Sequence, residues 1–183
     1  MNPSIARFAA AVLAAALLLP SPAGSETPSG KDVVAPEAYA SLDPIARGMS
    51  FQVAVVLKIR PGFHVNAREV SEDYLIPTDL RAVVPAGFRL GTVTYPKGTL
   101  QTFTFSKNKK LNVYSGNVTI LLPLTALPTA PLGSQHIPMK LHYQACSTEI
   151  CLPPVTKDLD ATLNVVAASS AAKPANPEIF SPK

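Results

Sequence analysis

The sequence predicts an antiparallel β-sandwich, and three observations predict it. Apolar residues recur with period two, prolines and glycines cut the chain into short pieces, and nothing after the first 25 residues reads as a long amphipathic helix. "FQVAVVLKI" (51–59) places Phe51, Val53, Val55, Leu57 and Ile59 on one face. "TDLRAVV" (78–84) and "FRLGTVTY" (88–95) are weaker strands of the same kind. "YSGNVTILLPL" (114–124) sets Tyr114, Val118, Ile120 and Leu122 against Asn117 and Thr119. "HIPMKLHYQAC" (136–146) aligns Ile137, Met139, Leu141, Tyr143 and Ala145 toward the core, which leaves Cys146 in register with Lys140, His142 and Gln144 on the polar face. "LDATLNV" (159–165) alternates Leu159, Ala161, Leu163 and Val165 with polar residues. Turn signals fall between these pieces at "RPGFH", "PAGF", "YPKG" and "APLGS".

Outside the strands the chain reads differently. Residues 1–25 are an expected signal peptide: Arg7 precedes an apolar run from Phe8 to Leu19, Pro20 breaks it, and Ala23 and Ser25 suit cleavage. That run is shorter than the roughly 20 residues a membrane helix needs. No cysteine follows it to carry a lipid, and no later segment is long and apolar enough to cross a membrane. An exported periplasmic protein without stable membrane insertion is therefore expected. Residues 26–45 are expected as a flexible N-terminal segment, 46–166 as one domain, and 167–183 as a disordered Ala/Ser/Pro-rich tail. Loss of Arg7 lowers the formal charge from +4 to +3, a small excess scattered along the chain. The one basic cluster, "SKNKK" (106–110), follows Phe103 and Phe105; a solvated loop is expected there, with no nucleic-acid partner.

The chemistry concentrates in "HYQACSTEICLPPVTKD" (142–158), which holds both cysteines, Cys146 and Cys151. Segments 137–146 and 155–165 could form a hairpin with both sulfurs near its end, within the spacing of about 4.4–6.8 Å that a disulfide tolerates. A structural staple is one reading, since export permits it. Its weakness is that closing so short a ring contributes only about 2 kcal/mol. A metal site is a poor match: His64, His136 and His142 show no paired ligand spacing and there is no second cysteine pair, so no metal and no cofactor are expected. A redox dithiol is the third reading, because two close, accessible thiols can exchange with a partner disulfide. No helix N-terminus is expected beside them to activate a thiolate. Staple and relay stay level on spacing alone.

The stretch "YQACSTEICLPPVTKDLDATLNV" resembles the N-terminal periplasmic domain of the thiol:disulfide interchange protein DsbD, the disulfide bond corrector domain family. Tyr143, Gln144, Ala145, Cys146, Cys151, Pro153 and Pro154 carry the likeness. "PGFHVNAREVSEDYLIPTDL" (61–80), "VTYPKG" and "LNVYSGNVTILLPL" support it by their order. The resemblance implies an immunoglobulin-like sandwich whose Cys146–Cys151 pair cycles between dithiol and disulfide. It also implies electrons exchanged with thioredoxin-like periplasmic proteins, among them cytochrome c maturation proteins, or with a membrane thiol-reductase module. By the same resemblance Cys151 is the attacking thiol and Cys146 resolves the mixed disulfide. The segment from about Gly98 to Lys110 would be a cap, with Phe103, Phe105, His64, Tyr143 and Gln144 as cap or partner-contact residues. Two departures are visible: four residues separate the cysteines where the best-known member has five, and the membrane and thioredoxin-like modules are absent from the sequence.

Overall fold

A computed structural model describes residues 28–180. The expected signal peptide lies outside the described residues. A one-turn helix α1 (Gly30–Val33) precedes twelve strands: β1 (Val34–Ala40), β2 (Ile45–Ala46), β3 (Ser50–Ile59), β4 (His64–Asn66), β5 (Asp79–Ala82), β6 (Phe88–Leu90), β7 (Thr99–Thr102), β8 (Lys110–Tyr114), β9 (Asn117–Ala126), β10 (Gly133–Tyr143), β11 (Ala145–Cys146) and β12 (Val155–Val166). A second short helix, α2 (Pro177–Phe180), ends the described chain.

The period-two pattern decides the architecture. One sheet runs β1-β3-β9-β6 and a second runs β2-β12-β10-β5; pairing is antiparallel except for β2, which lies parallel to β12. The expected inward face of β3 is buried in full, from Phe51 to Ile59. Val118, Ile120, Leu122 and Leu124 of β9 join it, and Ile137, Met139 and Leu141 of β10 with Ala161, Leu163 and Val165 of β12 meet it from the other sheet. Each such side chain contributes about 1.5–3 kcal/mol by leaving water. This is the antiparallel sandwich expected, immunoglobulin-like in that two such sheets enclose one core. A third, smaller sheet, β11-β4-β8-β7, closes one end.

Four stretches differ from expectation, each for a local reason. The stretch 114–124 is not one strand: Gly116, at φ +67°, turns the chain between β8 and β9. The weak strand 88–95 keeps pairing only to Leu90, with a single further bridge from Thr94 to Leu121. Within the segment 26–45, expected to be flexible, Val34–Ala40 and Ile45–Ala46 form strands instead. Ser29 and Asp32 cap α1 reciprocally, β1 pairs with β3 along its length, and Lys157 Nζ donates to the carbonyls of Lys31 and Val34. In the tail, Asp43 N–H donates to Lys173 O, Ala175 N–H to Ser41 O, and Asn176 Nδ2 to Ala40 O. Backbone donors and acceptors, which composition does not display, thus order both segments.

Gly87 sits at φ +88° in the turn before β6, and a Cβ there would lie 2.5 Å from Ala130 Cα. Gly87→Ala is expected to destabilise the sandwich by about 2 kcal/mol, read as a lowered urea midpoint at unchanged slope.

Candidate functional site

Strands β10 and β12 form the expected hairpin, in register from Gly133↔Val165 to Tyr143↔Val155. Past its end the chain continues into β11 and a tight turn. Ser147 N–H donates to Ile150 O (2.8 Å), and Leu152 N–H donates to Ala145 O (2.8 Å). Those two bonds flank Cys146 and Cys151, making them a directly opposed, non-hydrogen-bonded cross-strand pair, the arrangement that brings antiparallel neighbours closest. Their Cα atoms are 3.9 Å apart and the sulfurs are bonded. The Cα spacing is shorter than the expected window because of that pairing. Ser147 holds the four-residue turn by accepting at Oγ from the N–H groups of Glu149 and Ile150.

The two cysteines are not equivalent. Cys151 is exposed, whereas Cys146 is 1 % exposed. The sequence expectation of a solvent-facing Cys146 is therefore corrected. Alternation does turn it away from the main core: Ala145 belongs to that core, as do its cross-strand neighbour Val65 and, beyond, Tyr114. The opposite face of the small sheet is covered as well. Cys146 pairs with His64, and Asn66 pairs with Val113. On Val113 begins a second apolar cluster of Leu75, Leu111 and Val113, with Val70, Phe103 and Phe105 packed against it. A strand between two cores has no polar face.

The cover comes from the segment expected as a cap. Phe103 stacks on the His64 ring at 3.9 Å between centroids and 13° between planes, and Phe105 stacks on Phe103 at 5.5 Å. Buried Ser106 fixes the turn that presents them, accepting at Oγ from Phe103 N–H and lying 2.7 Å from Lys109 O. Thr104 Oγ1 donates to Thr148 O (2.5 Å), which clasps the cap to the turn between the cysteines. At the far root, a Cβ on Gly98 would lie 2.3 Å from Asn112 Oδ1, so the chain passes there only because the residue is glycine.

Of the other expected contact residues, Gln144 is half-buried and donates from Nε2 to Leu152 O. Tyr143 is corrected: it is a core residue, 1 % exposed, whose hydroxyl donates to Gly30 O at 2.9 Å and whose pKa burial pushes up to about 12. It anchors α1 and offers nothing to a partner. His136 and His142 lie on the outer face of β10, within 2.7 Å of Asp160 Oδ2 and 3.0 Å of Thr156 Oγ1. Among the described residues no three His, Cys, Asp or Glu side chains converge as a metal set, and no helix is long and apolar enough to cross a membrane. Sequence reading missed Asn66, the Thr104–Thr148 clasp and the small cluster. The alternation of "HVN" was the available signal for Asn66, since it puts His64 and Asn66 on one face; nothing local announces a hydroxyl-to-carbonyl contact across 44 residues.

His64 is 4 % exposed, and burial alone lowers its pKa from 6.5 to about 4. Between those values the unfolded chain binds a proton that the native chain does not, so stability falls as pH drops through that window. The expected loss reaches about 3 kcal/mol by pH 4. Urea titrations from pH 7 to 4 should show that slope, and His64→Phe should remove most of it.

Comparisons with known proteins follow the same lines. The family model "Thiol:disulfide interchange protein DsbD, N-terminal" matches residues 30–163. No curated protein matches. Similar solved structures include the DsbD N-terminal domain of Neisseria meningitidis in the reduced form, at 20% identity, covering 79% of this chain and 95% of that one, TM-score 0.49. Another is the N-terminal periplasmic domain of ScsB from Proteus mirabilis, at 12% identity, 77% of this chain and 49% of that one, TM-score 0.48. A third is a complex between the DsbD N-terminal and PilB N-terminal domains from Neisseria meningitidis, at 18% identity, 67% and 80% coverage, TM-score 0.42. With the family model spanning both cysteines and nearly all of the sandwich, the chain belongs to the DsbD N-terminal domain family.

Proposed function

We propose that this chain is a periplasmic thiol–disulfide exchange protein that relays electrons through Cys146 and Cys151 to or from thioredoxin-fold partners. The observation that carries the reading is the asymmetry of the pair in a member of this family: an exposed Cys151 bonded to a buried Cys146 beneath a separately packed cap. Exchange proceeds by attack of a thiolate on a disulfide sulfur, and access decides which sulfur reacts. Cys151 is the sulfur a partner can reach. In the reduced protein, the Cys151 thiolate attacks the partner disulfide, and one partner sulfur leaves as thiolate with the electron pair. Cys146 then attacks Cys151 Sγ, closing the Cys146–Cys151 bond and releasing the second partner sulfur. The partner gains two electrons and this chain returns to the disulfide; running the steps backward loads it with electrons again. Neither step needs a cofactor.

The remaining roles follow from that scheme. The cap segment, with Phe103 and Phe105 over His64, shields the buried Cys146 until a partner displaces it. Gln144 holds the chain beyond Cys151 at Leu152. Residues 1–25 direct export, so the mature protein acts in an oxidising compartment where donors and acceptors are other proteins.

Two measurements test the reading. Equilibrated in glutathione buffers, the native pair should titrate between about −180 and −270 mV, the range of exchange proteins. A bond that stays closed well below about −300 mV would make it a permanent staple. Cys146→Ala should accumulate a mixed disulfide on Cys151 with a thioredoxin-fold protein, seen as a reductant-sensitive adduct by mass spectrometry, while Cys151→Ala should accumulate far less.

A further inference from the structure

Among the described residues, two buried side-chain polar atoms have no hydrogen-bond partner, His64 Nε2 and Asn66 Oδ1. Both belong to β4, the three-residue strand that pairs with the Cys146 strand. Leaving a buried polar atom unpaired is costly, so two on one strand need a reason. Packing alone does not supply one: a phenylalanine at position 64 would stack on Phe103 equally well without the orphaned nitrogen.

We propose that His64 is the proton acceptor for Cys146, taking the thiol proton as Cys146 attacks Cys151 Sγ to resolve the mixed disulfide. The assignment rests on the exchange reading above. Its geometric basis is the direct cross-strand opposition of His64 and Cys146, which puts both side chains on the same covered face. In the disulfide form the Cys146 sulfur carries no proton, and the imidazole nitrogen is idle. Once the bond is open, Cys146 holds a thiol at a position where water does not reach, since both residues are more than nine-tenths buried. A buried thiol must lose its proton to become a nucleophile, and a buried thiolate without a partner is costly. His64 answers both needs.

The proton and electron count closes. The S–H bond of Cys146 breaks and its proton goes to His64; the Cys146–Cys151 bond forms; the bond from Cys151 to the partner breaks, and the partner thiolate leaves with the electron pair. The imidazolium then releases its proton to that leaving thiolate or, as the cap opens, to water. Burial keeps His64 neutral before the step, and no charged group contributes to that shift. A thiolate beside the ring raises its proton affinity when the proton has to be held. Asn66, two residues along on the same face, keeps its Nδ2 on Ile76 O and leaves its oxygen free to accept from the imidazolium.

The test follows the two steps separately, using oxidised glutathione as the probe with acid quenching and mass spectrometry. His64→Phe preserves the ring on Phe103 and removes the nitrogens. In this variant the glutathione adduct on Cys151 should accumulate because its resolution slows at least about tenfold, within the range general-base groups supply. Formation of the adduct, measured in a Cys146→Ala background with and without the second substitution, should change less than about twofold. Resolution in the wild type should depend weakly on pH from 6 to 8, whereas in His64→Phe it should rise steeply, following ionisation of an unassisted thiol. Wild-type resolution rate and pH profile in the variant would overturn the assignment and leave the exchange reading standing. Equal slowing of both steps would assign His64 to cap packing instead and overturn it too. If the probe neither oxidises the reduced wild type nor forms an adduct on Cys146→Ala, the exchange reading is overturned and this inference with it. If His64→Phe does not fold, His64→Gln, which keeps polarity without basicity, is read in the same way.

Discussion

Strand β4 is three residues long and buried on both faces, and the site depends on that constraint. Val65 points into the sandwich with Ala145 and Tyr114; His64 and Asn66 point the other way, into the small cluster under the cap. Because β11 is bonded to β4, Cys146 shares this position between two cores. Cys151, across the narrow pair, is held by the same hairpin yet lies at the rim, where nothing covers it. One strand pairing therefore creates the difference between a reachable and an unreachable sulfur. Neither cysteine requires a special backbone or a helix dipole for that difference.

The two cores differ greatly in size, and this gives the cap its freedom. The sandwich is built from the inward faces of long strands in two sheets, whereas the cap cluster has three buried apolar residues, Leu75, Leu111 and Val113. Segments with few buried contacts open at low free energy while the rest of the domain stays folded. Phe103 and Phe105 are only partly buried, and the clasp from Thr104 to Thr148 is exposed. An exposed hydrogen bond contributes about 1 kcal/mol, because water replaces it readily. The segment over His64 is thus held by a small cluster and one exposed hydrogen bond, far less than holds the sandwich.

Much of the fold was legible in the sequence because the dominant force, burial of alternate side chains, writes itself into period two. Phe51 to Ile59, Ile137 to Ala145 and Ala161 to Val165 are buried as the alternation requires. The closeness of Cys146 and Cys151 at the hairpin end could also be anticipated. What escaped were features set by hydrogen bonds or by tertiary coverage. The order of residues 30–40 comes from backbone pairing of β1 with β3 and from side chains as remote as Tyr143 and Lys157. The rings over His64, the residue opposite Cys146, come from a segment more than 35 residues earlier in the chain. Alternation reports which way a side chain turns from one core; it carries no information about whether a second core waits on the other side.

A relay has to open its disulfide many times without losing its shape, and the local hydrogen bonds show how. Ser147 N–H to Ile150 O and Leu152 N–H to Ala145 O close the turn independently of the sulfurs, and Ser147 Oγ braces it from within. Ala145 is bonded through β4 to the rest of the small sheet, and Gln144 adds a contact to Leu152. Breaking the sulfur–sulfur bond removes one link from a turn that has several. Had the cysteines been the only tie between β11 and the chain after the turn, reduction would have released that chain and uncovered Cys146. The backbone ladder closes the turn without the covalent bond, and under the exchange reading that is what lets the bond open and re-form.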